Sequence, residues 1–165
     1  MIFVLGCNDA TKEIESNDVN YKDMPDQICY NMEFVFFDSS SIKNVINSQR
    51  ARIYNDKKET ILDGKVLVRF YDANNKQSGT LNADLVNIDD ATKDMIASGN
   101  VVVFSDSSKT KLETSELKWK QETGKIYTNV YVKITSPTEI IEGIGLESDE
   151  SLSNYRIFKV TGIKN

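Results

Sequence analysis

Ile126-Tyr127-Thr128-Asn129-Val130-Tyr131-Val132-Lys133-Ile134 is the stretch that decides the fold. Ile126, Val130, Val132 and Ile134 fall on one parity, and Tyr127, Asn129, Tyr131 and Lys133 on the other. A period of two places successive side chains on opposite faces of a strand, so this segment reads as a half-buried strand with one apolar face. Gln121-Glu122-Thr123-Gly124 before it and Ser136-Pro137 after it carry turn chemistry. Beyond those turns lie Leu112-Glu113-Thr114-Ser115-Glu116-Leu117-Lys118-Trp119 and Ile141-Glu142-Gly143-Ile144-Gly145-Leu146-Glu147. The same unit, strand then tight turn, extends outward in both directions.

Upstream, Asn55-Asp56-Lys57-Lys58, Asp72-Ala73-Asn74-Asn75, Asp89-Asp90-Ala91-Thr92 and Ser105-Asp106-Ser107-Ser108 interrupt apolar runs in the same way. The intervening strands span about 8 to 14 residues, longer than the usual strand. From Cys29 onward the period is two, and Phe34-Val35-Phe36-Phe37 is a short, very apolar strand core. Ser40 to Arg50 is compatible with a helical turn.

An internal repeat adds shape. Ile61-Leu62-Asp63-Gly64-Lys65-Val66-Leu67-Val68 resembles Ile96-Ala97-Ser98-Gly99-Asn100-Val101-Val102-Val103, with looser copies around Gly143 and Gly162. Glycine inside a strand marks a bulge or a bend. Bends at comparable depth would crease successive strands along one line and give a V-shaped trough. In the alternative, the glycines only relieve crowding in an ordinary sandwich. Either way the class is all-β: an elongated antiparallel β-jellyroll, or V-shaped folded sheet of stacked hairpins. The inner face, either an ordinary dry core or the lining of a lipid trough, shares parity within each strand: Phe36; Val66, Val68 and Phe70; Leu81, Ala83 and Leu85; Val101 and Val103; Leu117 and Trp119; Val130, Val132 and Ile134.

Composition narrows the function. The 165 residues contain no histidine, which removes the commonest general base and metal ligand. Two cysteines without a CxxC pair offer no zinc site. The carboxylates read as the solvated faces of strands and turns. No catalytic residue, metal or cofactor is expected. A net charge of −5 with no basic patch argues against nucleic acid.

The start, Met1-Ile2-Phe3-Val4-Leu5-Gly6-Cys7, looks like the tail of a bacterial lipobox, in which Cys7 would be acylated. No positively charged stretch precedes it and six residues are too few for a full apolar region, so an accidental apolar start is the alternative. Residues 1–23 then form this start and a polar tether, and residues 24–165 the folded domain. If Cys7 is acylated, Cys29 is most simply a small buried apolar residue; a Cys7–Cys29 disulfide in an oxidising compartment is the less favoured alternative, since Cys7 sits on the tether.

The cadence Leu112 to Trp119, Gly124-Lys125-Ile126-Tyr127-Thr128 and Ile141 to Glu147 resembles the LptC family of the wider LptA/OstA superfamily, from about Met24 to Gly162. The resemblance implies a periplasmic, non-enzymatic lipid conduit held at the inner membrane. It would receive lipopolysaccharide from an inner-membrane ABC transporter and pass it to a periplasmic LptA-like bridge protein. It also implies that Ser40 to Arg50 pairs as a strand with Ala51-Arg52-Ile53-Tyr54. Docking edges would lie near Phe34 to Phe37 on the transporter side and near Tyr155 to Ile163, including Ile157 and Val160, on the bridge side. Gly143 and Gly145 match the family's Gly-x-Gly-like element. Enterobacterial members carry a transmembrane helix at the start, where this chain offers at most a lipobox. A second reading is a periplasmic or surface β-sandwich lipoprotein that binds a polysaccharide or protein partner through Trp119, Tyr127 and Tyr131.

Overall fold

A computed structural model describes residues 23–38 and 41–164; Cys7 and the tether as far as residue 22 lie outside them. Nine strands are present among the described residues: β1 (Gln27–Asp38), β2 (Ser41–Tyr54), β3 (Glu59–Tyr71), β4 (Gln77–Asp89), β5 (Met95–Ser105), β6 (Lys111–Lys120), β7 (Lys125–Thr135), β8 (Ile140–Asp149) and β9 (Tyr155–Lys164). They form one antiparallel sheet in strict chain order, so every connection is a hairpin and β1 and β9 are its two edges. The six turns marked in the sequence, from Asn55 to Pro137, fall at the connections from β2 to β8, whereas the β8–β9 turn at residues 150–154 carries no such mark. One correction concerns Ser40 to Arg50: its described part runs straight into Ala51–Tyr54 as the single strand β2, which pairs with β1 and β3 rather than with itself.

Halfway along, β3, β5 and β7 each carry one residue more than their neighbours. Asp63 and Val66 oppose Leu85 and Ala83; Ser98 and Val101 oppose Glu116 and Thr114; Thr128 and Tyr131 oppose Leu146 and Ile144. Two of these bulges are built on left-handed pairs, Gly64-Lys65 (φ 76° and 65°) and Gly99-Asn100 (φ 74° and 45°). A left-handed residue is costly with a side chain and nearly free for glycine, which is why the repeat places Gly first.

The bulges crease the sheet into two facing leaves. Leaf one holds 41–48, 66–71, 77–83, 101–105, 111–114, 131–135 and 140–144; leaf two holds the rest of β2 to β8. The bulged strands keep one parity throughout, as in Leu62, Val66 and Val68, or Ile126, Val132 and Ile134. Their partners must then change parity at the crease. In β4 the buried residues are Leu81 and Ala83, then Val86 and Ile88. Simple alternation therefore misplaces Leu85: it is half-buried beside the outward Asp63 and Ser98, and Val86 takes the inner position. Val130 is only half-buried for a different reason: it lies within the β7 bulge and has no cross-strand partner on β8.

Apolar residues form a ladder on the inner side of leaf one: Phe34, Ile46, Val68, Leu81, Val103, Leu112, Ile134, Ile141 and Ile163 are direct cross-strand partners from β1 to β9. Leaf two answers with Cys29, Ala51, Leu62, Val86, Ala97 and Leu117. Burial of these rows against each other supplies the core at roughly 25 cal/mol per Å2.

A β-carbon at Gly99 would lie 2.6 Å from Asp84 Oδ2, whereas at Gly124, also left-handed, its nearest neighbour is 3.6 Å away. Gly99→Val is therefore expected to destabilise by about 2–4 kcal/mol and Gly124→Ala by about 1 kcal/mol. Urea midpoints of the two variants check the ordering; equal losses would refute the strained bulge.

Candidate functional site

Where the leaves meet at their free ends, they enclose a cavity of about 40 Å3 lined by Asn44, Val68, Phe70, Leu81 and Val103 of leaf one and Val86, Met95, Ala97, Leu117, Trp119 and Ile126 of leaf two, with Glu150 at its rim. That is room for a few water molecules, not for an acyl chain. It continues into an open mouth of about 400 Å3 lined in part by Phe36, Phe37, Lys43, Lys93 and Gln121.

Two polar contacts bridge the mouth. Trp119 Nε1 donates to Glu150 Oε1 at 2.7 Å, and Lys43 Nζ lies 3.3 Å from Glu150 Oε2. Lys43 belongs to leaf one and Glu150 to the turn after β8, so the pair joins the two lips. Both side chains are partly solvated, and such a pair contributes little by itself.

Further along, the lips are sealed. Leu152, in the turn between β8 and β9, is fully buried in the core, and Ser108 Oγ donates to Ser151 O at 3.0 Å across the leaves. Asp149 shapes this turn: its carboxylate accepts from Ser151 Oγ, Ser153 N, Asn154 N and Asn154 Nδ2 at 2.8–3.1 Å. Burial alone pushes its pKa up, but these donors together outweigh burial and hold it below the usual carboxylate value.

The expected lining residues divide into groups. Val68, Phe70, Leu81, Val103, Leu117 and Trp119 line the cavity and Phe36 its mouth. Val66, Val101, Val132 and Ile134 are fully buried in the core away from it. Trp119 points inward with Leu117, leaving Tyr127 and Tyr131 exposed on the outer face, so the three aromatics do not form one platform. Sequence reading missed Asn44, Met95, Glu150 and Leu152. Only Leu152 left a trace, as a lone apolar residue in the polar run Glu150-Ser151-Leu152-Ser153-Asn154.

At the edges, Phe34 and Phe36 of β1 pack on the core while Phe37 is 65% exposed. On β9, Tyr155 and Ile157 pack on the core, but Val160 and Ile163 are 49% and 60% exposed although their partners, Gly143 and Ile141, face inward. A β-carbon on Gly143 would lie 2.5 Å from Lys159 O, so this glycine lets β9 approach. Gly145 is left-handed (φ 77°), and a β-carbon there would lie 2.7 Å from the Phe158 ring.

The family described as "Lipopolysaccharide-assembly, LptC-related" matches residues 1–163. No curated protein matches the chain. Among solved structures the chain is similar to LptH of Pseudomonas aeruginosa, the LptA-homologous periplasmic component of a lipopolysaccharide transport device. That likeness has a TM-score of 0.56 at 14% identity, covers 72% of this chain and 84% of that one, and is one of fold.

Leu152→Ala is expected to destabilise by about 2–4 kcal/mol. Because the folded Asp149 carboxyl binds its proton less tightly than the unfolded one, its contribution is complete above about pH 4 and is lost as pH falls through the lower folded value. The stability gap between the wild type and Asp149→Ala should therefore narrow in acid. Urea titrations at pH 6 and pH 3 measure it, and a constant gap would rule out this role of the ionised carboxylate.

Proposed function

The chain belongs to the LptC-related lipopolysaccharide-assembly family, and from that membership we propose that its creased sheet is a non-enzymatic lipid conduit. In this reading it takes lipopolysaccharide from an inner-membrane ABC transporter and hands it to a periplasmic LptA-like bridge protein. The observation that carries the proposal is the apolar ladder from Phe34 to Ile163, which crosses all nine strands on the inner face and ends solvent-exposed on β9.

Acyl chains would occupy the cleft between Phe70 and Trp119, with the sugar headgroup outside the mouth. Apolar burial needs no directional contacts, which suits a lining without a chemical constellation. Since the cavity is only about 40 Å3, loading requires the lips to part. The bridge from Lys43 through Glu150 to Trp119 is the point at which they would do so, and Phe36, Phe70, Leu81, Val103 and Leu117 would then meet the lipid. The buried Val66, Val101, Val132 and Ile134 would line the deeper part of the same face.

Each sheet edge offers unpaired backbone groups to another strand. The β1 edge at Phe34 and Phe37 would dock on the transporter. The β9 edge at Tyr155, Ile157 and Val160, held in line by Gly143 and Gly145, would dock on the bridge. The chain would work in the periplasm at the inner membrane, with residues 1–23 as tether and Cys7 as the acylation site.

Site-specific photo-crosslinking in the native host tests the path. A probe at Phe70 should yield a lipopolysaccharide adduct, and a probe at the outward Tyr131 should not. Absence of an adduct at Phe70 in folded, abundant protein would turn the cleft back into a plain core. A separate test addresses the edge: Val160→Arg should leave stability within about 0.5 kcal/mol, as for an exposed site, yet sharply reduce co-purification of the bridge protein. Undiminished co-purification would remove β9 as the docking strand.

A further inference from the structure

The inner face carries several polar side chains, and nearly all are satisfied within the chain. Thr60 Oγ1 donates to Asp90 at 2.8 Å, Ser148 Oγ to Asn154 O at 3.2 Å, Ser48 Oγ to Arg50 O at 3.2 Å, and Thr114 Oγ1 to Tyr131 O at 2.7 Å. Asn44 is the exception. It is 4% exposed, and its Oδ1 is buried without a hydrogen-bond partner among the described residues. It also lines both the cavity and its mouth, in one cross-strand row with Phe36 and Phe70.

A buried acceptor left unpaired costs about 1–3 kcal/mol, and a leucine of similar size would avoid that cost. An amide kept between two phenylalanines at the entrance of an apolar cleft is therefore suited to a ligand that brings its own donor. We infer that Asn44 is a specificity-determining residue of the cleft, accepting a hydrogen bond from a hydroxyl carried on an acyl chain and so favouring hydroxylated over plain acyl chains. The inference rests on the conduit reading and adds to it which acyl chemistry the entrance selects.

The sign of the effect separates this role from simple apolar burial. A wholly apolar cleft penalises a hydroxylated chain, because the hydroxyl loses its water and gains nothing. A cleft with a waiting acceptor reverses that order.

The test is displacement of a bound environment-sensitive naphthylamine dye from the full chain by tetradecanoate and by 3-hydroxytetradecanoate. Wild type should bind the hydroxylated acid about three- to tenfold more tightly, the range expected of one such hydrogen bond. Asn44→Leu, which removes the orphaned oxygen, should keep or raise the urea midpoint and invert the preference. Equal affinity in the wild type, a comparison that needs no variant, overturns the inference and leaves the conduit standing. So does a preference that survives in Asn44→Leu. Displacement by neither acid would instead overturn the acyl cleft itself, and the inference with it.

Discussion

The inner face of this sheet has to stay the inner face after the sheet has been folded across its own strands. That constraint organises the rest of the molecule. A strand crossing a crease cannot simply continue its alternation on both sides if its neighbour carries an extra residue there. Here the odd-numbered strands β3, β5 and β7 take up the extra residue, and the even-numbered strands change parity. The result is two apolar faces that meet, with the left-handed Gly64-Lys65 and Gly99-Asn100 pairs on the line between them.

This explains what could be read in the residues and what could not. The glycines at the middle of the repeat, the turns and the parity of β7 were all local signals, and each lies within a few residues of its cause. The Leu85 assignment failed because its parity is decided by neighbouring strands: the extra residues sit in β3 and β5, while the consequence appears in β4. Val130 was displaced by a bulge that contains no glycine, so nothing marked it. Ser40 to Arg50 was ambiguous because β2 shows its character only through its partners. The cavity was invisible for a similar reason, since Phe70 and Trp119 meet across the leaves and not along a hairpin.

The site differs from a preformed pocket. Most of the inner face is packed as tightly as an ordinary core, with Val132, Ile134 and Leu112 fully buried. Between Asn44 and Trp119 the two lips touch through partly solvated polar groups instead of a buried plug such as Leu152. A conduit of the proposed kind would have to remain folded when empty and still admit cargo. Sealing one part of the seam firmly and another weakly meets both needs with a single layer of strands.

The strict strand order from β1 to β9 has one more implication. Because each strand bonds only to its chain neighbours, the sheet behaves as a one-dimensional stack in which cohesion is passed from rung to rung. Two hairpins could be inserted or lost without rerouting any connection, so the length of the sheet is adjustable in whole units while its cross-section is conserved. The outermost rungs have neighbours on one side only and open most easily. In such a stack, the strands with the least internal support are also the ones with unpaired backbone to offer, so joining end to end with a similar sheet would stabilise each module where it is weakest.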